Sequence, residues 1–261
     1  MLDQITPLIL CFNEAPNIGR VLDRLGWAKR VVVLDSFSDD ETEAIARSYS
    51  NVTFVQRHFD SHANQWNYGL LETRIATDWV LSLDADYLLP DSFVQELRSL
   101  HPAEDVAGYQ AQFRYCIEGI PLTGTVYTPV TVLFRRDRAG YVQLGHTQRL
   151  RVTGHVGTLA TPILHDDRKP LARWFASQIR YMQLESAVLL STPFGELDSP
   201  DKVRRLVFVA PTAMFFYCLL VKRCVLDGRR GLFYALQRAA AETMLSLFLL
   251  QRIMQRRSLD K

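Results

Sequence analysis

Short apolar runs alternate with amphipathic segments through the first hundred residues of the chain. The runs are rich in valine, leucine and isoleucine and are continuous rather than alternating, which is typical of parallel strands covered on both faces. Each run is followed, after a link of a few residues, by a segment with helical spacing. The pattern predicts a doubly wound, mostly parallel α/β sheet with helices on both faces, with strands over 7–12, 30–35, 52–56 and 78–84.

Polar side chains stand where three of these predicted strands end. They are Asn13 and Glu14 after the first strand, Asp35 at the end of the second, and Asp84 and Asp86 at the end of the fourth. Ligands of open α/β sheets bind beyond the carboxyl ends of the strands. Any one of these residues could instead cap a helix or a turn, but three such ends on one edge indicate a binding site.

Asp84 and Asp86 are like charges one residue apart, and such a pair repels itself unless a cation lies between the carboxylates. The first strand–helix turn carries neither GxGxxG nor GxxxxGK[ST], so a glycine-rich phosphate loop is not indicated. Hard oxygen ligands suit Mg²⁺ or Mn²⁺, which keep positions open for substrate phosphates. The pair therefore predicts a divalent cation that joins the protein to a diphosphate.

Residues 106–164 have the pattern of strands and loops. Tyr109, Phe113 and Tyr115 alternate along this region, which indicates β structure. These rings either pack in the core or form a face on which a sugar stacks. Both interpretations stay open.

The C-terminal part combines apolar helices with basic charge. Residues 172–190 have helical spacing and are expected to pack on the preceding domain. The stretch 206–221 would span about 24 Å as a helix, short of the roughly 30 Å hydrocarbon core of a bilayer, and Pro211 interrupts it. Farther on, Arg238 and Glu242 have the i,i+4 spacing of a surface pair. Neither segment is predicted to span a membrane.

Charge is distributed unevenly along the chain. From Lys202 onward there are 12 basic and three acidic residues, a net charge of +9, whereas the preceding residues carry −7. Basic side chains between apolar runs favour a helical hairpin lying on an anionic membrane surface through residues 206–250. A soluble helical cap or a dimer interface is the alternative. The long aliphatic runs do not suit a duplex, so no nucleic-acid partner is expected.

The composition of the 261 residues, 48% hydrophobic and 22% charged, is that of a globular protein. The four cysteines form no CxxC pair, which favours free thiols in a reducing compartment. The N-terminus has no basic region before its short apolar run, so a secretory signal is not expected. We therefore predict a cytoplasmic protein that lies peripherally on the inner face of the cytoplasmic membrane.

Four segments, in this order and spacing, resemble a known family: "CFNEAPNIGRVLDRL", "VVVLDSFSDDET", "QWNYGL" and "DWVLSLDADYLLPD". They are similar to the nucleotide-sugar-dependent glycosyltransferases of family 2 with the GT-A fold, and most of all to the lipopolysaccharide core glucosyltransferases that act on heptose. A fainter likeness continues through "LHDDRKPLARWFASQIRYMQLES" and "LDGRRGLFYAL". The chain departs from the family at Phe37, where glycine is common, and at Gly69, where alanine is common.

The resemblance implies a catalytic domain over 1–195, with a nucleotide-binding half (1–100) and an acceptor half (101–195), and a helical extension over 196–261. Asp35 matches the acid that contacts uracil or ribose. The other nucleotide-sugar contacts that it implies are Asn13, Glu14, Asp40, Gln65, Asn67 and Asp84. The implied metal ligands are Asp84, Asp86 and His165, since histidine is a third ligand in several GT-A enzymes.

An inverting transfer needs a base that deprotonates the acceptor hydroxyl. Related branches carry Val-His-Glu where this chain has Gly-His-Thr at 145–147, so the acid after the histidine is missing. Asp166 and Asp167 are therefore the first candidates and His146 the second. His165 could also be hydrogen-bonded in a turn without a catalytic role.

The expected activity is the metal-dependent, inverting transfer of a sugar from a nucleotide sugar, expected to be UDP-linked. The expected acceptor is a membrane-borne glycan or glycolipid such as the lipopolysaccharide core. One alternative is transfer to a polyprenyl phosphate, which is already an anion and needs no strong base. The other is a non-catalytic, membrane-tethered protein that binds sugar nucleotides, which the intact Asp-x-Asp pair disfavours.

Overall fold

A computed structural model describes residues 1–144 and 147–259. The strands are β1 (Ile5–Cys11), β2 (Val31–Asp35), β3 (Val52–Gln56), β4 (Trp79–Asp84), β5 (Tyr87–Leu88), β6 (Val106–Ala111), β7 (Phe113–Ile117), β8 (Ile120–Pro121), β9 (Val130–Arg135), β10 (Ala139–Leu144), β11 (Thr147–Val152), β12 (His155–Thr158) and β13 (Ile163–His165). The helices are α1 (Ile18–Leu22), α2 (Thr42–Arg47), α3 (His62–Glu72), α4 (Asp91–Ser99), α5 (Leu171–Ser191), α6 (Ser199–Arg205), α7 (Val209–Phe216) and α8 (Gly228–Leu259).

The described residues form two compact units. The first comprises Met1–Pro121 and Tyr127–Lys169, and the second comprises Leu122–Val126 and the chain from Pro170 onward. The predicted domain boundary after residue 195 differs from this division. Helix α5 belongs to the second unit because it packs there on α8: Leu189 of α5 lies in one apolar cluster with Leu245 and Leu249.

The centre of the first unit is a seven-stranded sheet, among the described residues, with the strand order β12-β6-β9-β4-β1-β2-β3. The strands β4, β1, β2 and β3 are parallel neighbours, whereas β9 runs antiparallel to β4 and β6. The predicted mostly parallel α/β sheet is thus confirmed. Because β4, β1 and β2 are parallel, their carboxyl ends meet at one edge of the sheet, which we call the carboxyl edge.

Both faces of the sheet are buried, which explains why its strands are continuously apolar. Ile9 and Val33 face one core with Ile18 of α1 and Phe93 of α4. The neighbouring positions Leu8 and Val32 face the opposite core, together with Trp66 and Leu70 of α3. Successive side chains of a strand point to opposite faces, so each strand needs an apolar residue at every position rather than at every second one.

Two smaller sheets complete the first unit. Strand β13 pairs with β5 and β7, and these strands form, with β8, a sheet in the order β5-β13-β7-β8. This pairing brings His165, at the end of β13, opposite Tyr87, which directly follows the Asp84–Asp86 segment. Strands β10 and β11 form an antiparallel hairpin.

The second unit consists of α5 to α8 and residues 122–126. The Arg238–Glu242 surface pair is not formed, because Arg204 of α6 donates to the buried Glu242 at 2.9 Å. The guanidinium of Arg238 instead lies over the rings of Trp174 and Tyr234. The side chain of Asp227 accepts a hydrogen bond from the backbone of Thr123 at 3.0 Å.

The stretch 206–221 does not form one helix. Val207 has a left-handed backbone (φ 64°), α7 begins only at Val209, and a π-helical turn follows over Tyr217–Val221. Pro211 lies in the first turn of α7 and does not interrupt it, since the N–H groups of a first turn have no partner within the helix. No single helix among the described residues is long and apolar enough to cross a bilayer, but the pair Val209–Val221 and Cys224–Gln255, bent by 75°, meets that criterion together by length and composition.

Candidate active site

The carboxyl edge places the predicted polar residues together, as the strand registers require. Asp84 lies opposite Leu10 of β1, and Asp35 lies opposite Cys11 of the same strand. Asn13 and Glu14 follow β1 directly. The ends of β1, β2 and β4 therefore present their polar side chains to one side of the first unit.

Asp86, two residues after the end of β4, is the more buried carboxyl group of the Asp84–Asp86 pair. It is 8% exposed, and its Oδ2 lies 3.2 Å from Nε2 of His165. Its Oδ1 is buried and has no hydrogen-bond partner among the described residues. A buried carboxylate oxygen without a donor is costly, so this atom is suited to accept a hydrogen bond or to ligate a cation.

The pKa values of Asp84 and Asp86 are shifted in opposite directions. Although part of Asp84 is open to solvent, the protein around it removes water from the carboxyl group and Asp86 repels its charge, which raises the pKa of Asp84 to about 6. Burial opposes ionisation of Asp86 as well, but His165 and Lys169 outweigh it and lower its pKa. In the same way, Asp86 overcomes the effect of burial on His165 and raises the pKa of the imidazole.

Three tyrosine rings surround His165. Tyr87, Tyr115 and Tyr127 all meet the imidazole edge to face, with centroid distances of 5.2, 5.0 and 4.9 Å. The rings leave Nδ1 of His165 buried and without a hydrogen-bond partner in the described part of the chain. The alternation of Tyr115 with Phe113 in the sequence indicated the strand but not this enclosure, since Tyr127 comes from a separate loop.

Lys169 connects the end of β13 to the end of β1. Its Nζ lies 2.6 Å from Oε1 of Glu14 and 3.6 Å from Oδ1 of Asp167. The fully buried Asn17 donates to Oε2 of Glu14 at 2.9 Å and to Oδ1 of Asp167 at 3.0 Å. The partners of Lys169 were not predicted from the sequence. Asn17 was missed entirely, although "NEAPN" carries it three residues after Glu14.

Burial raises the pKa of Glu14 to about 7 even though Lys169 and Asn17 lower it. The native protein therefore holds a proton that the unfolded chain releases between pH 4.5 and 7. We expect the free energy of unfolding to fall across this interval by on the order of 2–3 kcal/mol on account of Glu14. In Glu14→Gln that contribution should disappear, which urea unfolding at pH 4.5, 6 and 7.5 measures. An identical pH dependence in the two proteins would contradict the assignment, because Asp84 titrates in both.

Asp166, a predicted catalytic base, is instead enclosed in a salt-bridge cluster. The side chain of Arg20 donates to its carboxylate, as do Arg168 at 3.0 Å and the backbone N–H of Gly119 at 3.1 Å. Asp166 is 1% exposed. These donors occupy both carboxylate oxygens and hold α1 and the loop after β13 together, which favours Asp167 over Asp166 as the base.

Asp167 differs from its neighbour. The hydrogen bonds that it accepts from described residues go to Oδ1, from Asn17 and from the backbone of Lys169. Its Oδ2 stays open, and a fifth of its side chain is exposed. His146, the second candidate base, lies outside the described residues.

The residues expected to contact the nucleotide are held by the protein's own hydrogen bonds. Asp35 is fully buried and accepts from the backbone and hydroxyl of Ser38 and from Gln56 at 3.2 Å. Asn13 accepts from Asp39 N–H at 2.8 Å. Asp35 therefore shapes the turn after β2, and both of its carboxylate oxygens already accept hydrogen bonds from the protein. Ser38 serves Asp35 in this turn and does not cap α2, which begins only at Thr42.

Asp40 and the two residues of α3 also have structural partners. Asp40 accepts from the backbone of Ala15 at 3.2 Å and from the backbone and hydroxyl of Thr42. The amide of Gln65 is buried between Ser36 and Arg57. Asn67 uses both atoms of its amide on the backbone of Tyr141, at 2.8 and 2.9 Å. It also borders a surface depression of 790 Å³ between α3 and the β10–β11 hairpin, which neither Asp84 nor Asp86 lines. Asn67 thus fastens the hairpin to α3.

A divalent cation fits the carboxyl edge only in part. Among the described residues, no group of three or more His, Cys, Asp or Glu side chains has the arrangement of a metal site. Mg²⁺ and Mn²⁺, however, are often held by one or two carboxylates together with substrate phosphates. Asp86, with its unpartnered Oδ1, and the adjacent Asp84 meet that requirement. His165 already pairs with Asp86 through Nε2, so its predicted role as a direct ligand would require this contact to break.

Comparison with known proteins places this site in context. The model of glycosyl transferase family 2 matches residues 8–160. The lipopolysaccharide core biosynthesis glycosyltransferase LpsC of Rhizobium meliloti (strain 1021) is 28% identical over 138 residues, which are 51% of this chain and 48% of LpsC. The chain spans less than half the length of the curated relatives it matches.

A solved structure shares the fold, and a second is similar over part of its length. S. aureus TarS 1-349 in complex with UDP-GlcNAc has a TM-score of 0.50 at 13% identity, over 97% of this chain and 92% of that one. The glucosyl-3-phosphoglycerate synthase of Mycobacterium tuberculosis, in complex with Mn²⁺, UDP and phosphoglyceric acid, has a TM-score of 0.47 at 17% identity, over 72% of this chain and 78% of that one.

Proposed function

The chain belongs to glycosyl transferase family 2, and from this premise we propose that it transfers a sugar from a UDP-linked donor, with the help of Mg²⁺ or Mn²⁺, to a membrane-borne glycan such as the lipopolysaccharide core. The observation that carries the proposal is Asp86: a buried carboxylate at the carboxyl edge, beside Asp84, with one oxygen to which no described residue donates. The name of the relative LpsC supports the choice of acceptor.

Asp84 and Asp86 would hold the cation, with the donor's diphosphate completing its ligands. When bound, the ion supplies Lewis-acid stabilisation of the leaving diphosphate. Lys169 supplies a further positive charge close to Asp86. Burial opposes this charge, but Glu14, Asp86 and Asp167 outweigh it and raise the pKa of Lys169, and the ion pairs with Glu14 and Asp167 hold the ammonium in place. His165 keeps Asp86 ionised and oriented through its Nε2 contact.

Asp167 is the proposed base. Its open Oδ2 takes the proton of the acceptor hydroxyl as that oxygen attacks the anomeric carbon from the side opposite the diphosphate, so the transfer inverts the configuration. Asn17 and Lys169 hold Oδ1 and thereby fix the direction of the second oxygen. His146 is the alternative base.

The acceptor side of the proposal rests on the second unit. Many large apolar side chains are exposed there, and exposed apolar patches mark interaction sites. Basic residues lie between them along the chain: Lys202, Arg205, Lys222, Arg223, Arg229 and Arg230. An interfacial helix combines an apolar surface with cations in this way. We propose that this surface binds the inner face of the cytoplasmic membrane through residues 206–250. The exposed apolar residues are Leu206, Phe208, Val209, Phe216, Tyr217, Leu220, Val221, Val225, Leu226, Leu232, Phe233, Leu236 and Leu247.

Membrane binding is tested with a double variant, Phe208→Glu with Leu220→Glu. These side chains are 78% and 63% exposed, so the changes should not disturb the fold, but each opposes insertion and adds repulsion from anionic lipid. Flotation with phosphatidylglycerol vesicles should show that the wild type binds and that the variant binds at least about tenfold more weakly. The control is Leu71→Glu, a 71% exposed leucine of the first unit. Equal binding by wild type and double variant would refute the proposed surface.

A further inference from the structure

The turn after β2 presents an exposed aromatic ring at the carboxyl edge. Phe37 is 43% exposed, and its ring stacks on His58, which follows β3, at a centroid distance of 4.1 Å and an interplanar angle of 23°. His58 covers one face of the phenyl ring. Among the described residues, no other ring or cation lies over the opposite face. The pair thus forms a flat surface, the Phe37–His58 shelf.

The backbone of Phe37 is in an unusual conformation. Its φ is 61°, in the left-handed region that glycine adopts without strain and that costs other residues roughly 1–2 kcal/mol. Glycine would thus suit this turn better than phenylalanine does. Strained residues of this kind concentrate at functional sites. An exposed phenylalanine kept in such a conformation suggests that its ring is needed.

The Phe37–His58 shelf lies within the length of a nucleotide from the proposed metal site. Asp35, two residues before Phe37, pairs with Cys11 of β1, and β4 with its Asp84 is the next strand beyond β1. Neighbouring strands lie about 4.8 Å apart, so the ends of β2 and β4 are separated by roughly 10 Å. A ribose and a diphosphate bridge that distance. A nucleotide whose phosphates lie at Asp84 and Asp86 can therefore reach the shelf with its base.

We infer that the nucleobase of the donor stacks on the free face of Phe37, with His58 supporting the ring from below. The inference rests on the proposed function, because it assigns the base end of the same donor site. Stacking also supplies affinity for the base that Asp35 does not supply, because the carboxylate of Asp35 is fully buried and already accepts from Ser38 and Gln56. An aromatic platform holds any base by its π-face, so the shelf contributes affinity, and discrimination between bases requires other groups.

The competing explanation is that Phe37 and His58 only pin the loops after β2 and β3 to each other. The two explanations predict different results for Phe37→Gly. If the pair only joins the two loops, Phe37→Gly removes that contact and the protein becomes less stable. If the pair is a stacking surface, Phe37→Gly removes that surface and lowers the affinity for the nucleotide. Because glycine also relieves the strained φ, the free energy of unfolding should be kept or increased.

The experiment is calorimetric titration of the full chain with UDP in the presence of Mn²⁺, alongside urea unfolding of each variant. Phe37→Gly should bind UDP about tenfold more weakly, with no loss of unfolding free energy. Phe37→Tyr keeps an aromatic face and should bind as the wild type does. Arg74→Gly is the matched control: Arg74 is exposed and has a φ of 55°, so glycine gives the same backbone relief away from the site and should leave the affinity unchanged.

Two results would overturn the shelf alone. One is a Phe37→Gly protein that binds UDP as tightly as the wild type, and the other is a parallel loss of affinity and stability, which would identify the pair as a pin. A wild type that binds neither UDP nor GDP, with or without Mn²⁺, would instead overturn the proposed function, and the shelf with it. The wild-type titration therefore separates the two failures.

Discussion

Replacing Asp86 with asparagine is expected to lower the turnover of the nucleotide sugar about 10³-fold and to abolish the Mn²⁺-dependent binding of the nucleotide. A cation that stabilises the leaving diphosphate contributes several kcal/mol to the transition state, and about 4 kcal/mol corresponds to this factor. Asparagine retains the size of the side chain and can still contact His165, but it removes the negative charge at the unpartnered Oδ1. Release of UDP from a UDP-sugar donor, followed at several Mn²⁺ concentrations, measures the effect.

The control for this variant is Asp91→Asn. Asp91 lies five residues farther along the chain, and 90% of its side chain is exposed in a pair with Arg24, so its loss should leave turnover unchanged. Exposed pairs of this kind contribute little to stability. Turnover at the wild-type level in Asp86→Asn would contradict the metal assignment.

The second large effect is expected for Asp167→Asn, which should lower kcat roughly 10³-fold, the usual contribution of a general base. Asparagine keeps an oxygen that can accept from Asn17 and Lys169, so the affinity for UDP should not change. Transfer to a saccharide acceptor measures kcat, and titration with UDP measures binding. The combination of lost turnover and retained binding identifies a group that acts on the acceptor.

Asp166→Asn provides the comparison for Asp167→Asn. Asp166 is enclosed by Arg20 and Arg168, and leaving one of these partners without its carboxylate should lower the melting temperature before it affects chemistry. Wild-type kcat in Asp167→Asn would contradict the proposed base. That result would favour either a polyprenyl phosphate acceptor, which needs no base, or His146 as the base. His146→Ala distinguishes these two, because it lowers kcat only if His146 is the base.

The fold could be predicted from the sequence because its central strands are buried on both faces. Continuous apolar runs at 30–35 and 78–84 correspond to β2 and β4 within one residue, and the GT-A class of the α/β fold is confirmed. The helical tail was less predictable. Val207 adopts a left-handed backbone and thereby separates α6 from α7, a break that hydropathy does not indicate.

The candidate site could be predicted where a residue's position follows from the strand that carries it. Asp84 and Asp86 stand at the carboxyl edge because β4 ends there. The partners of each carboxylate were not predictable, because they come from distant parts of the chain. Arg20 reaches Asp166 from 146 residues away, and Lys169 reaches Glu14 from 155 residues away. Spacing along the chain therefore identified acidic groups but could not distinguish an open carboxylate from an enclosed one.

The same limit applies to residues that the family resemblance marks as nucleotide contacts. Gln65 and Asn67 lie on one helix, but Gln65 is buried against Ser36 and Arg57 while Asn67 binds the backbone of Tyr141. A motif fixes the type of each side chain and its place in the helix. Only the neighbouring strands and loops determine whether its amide remains available to a ligand.

The most direct test of the central claim is a calorimetric titration of the full chain with UDP and with GDP, each with and without Mn²⁺. We predict binding of UDP that requires the cation and that is lost in Asp86→Asn. Binding of GDP alone would keep the donor site and change the nucleotide. Binding of neither nucleotide under any of these conditions would contradict the assignment of the carboxyl edge as a donor site.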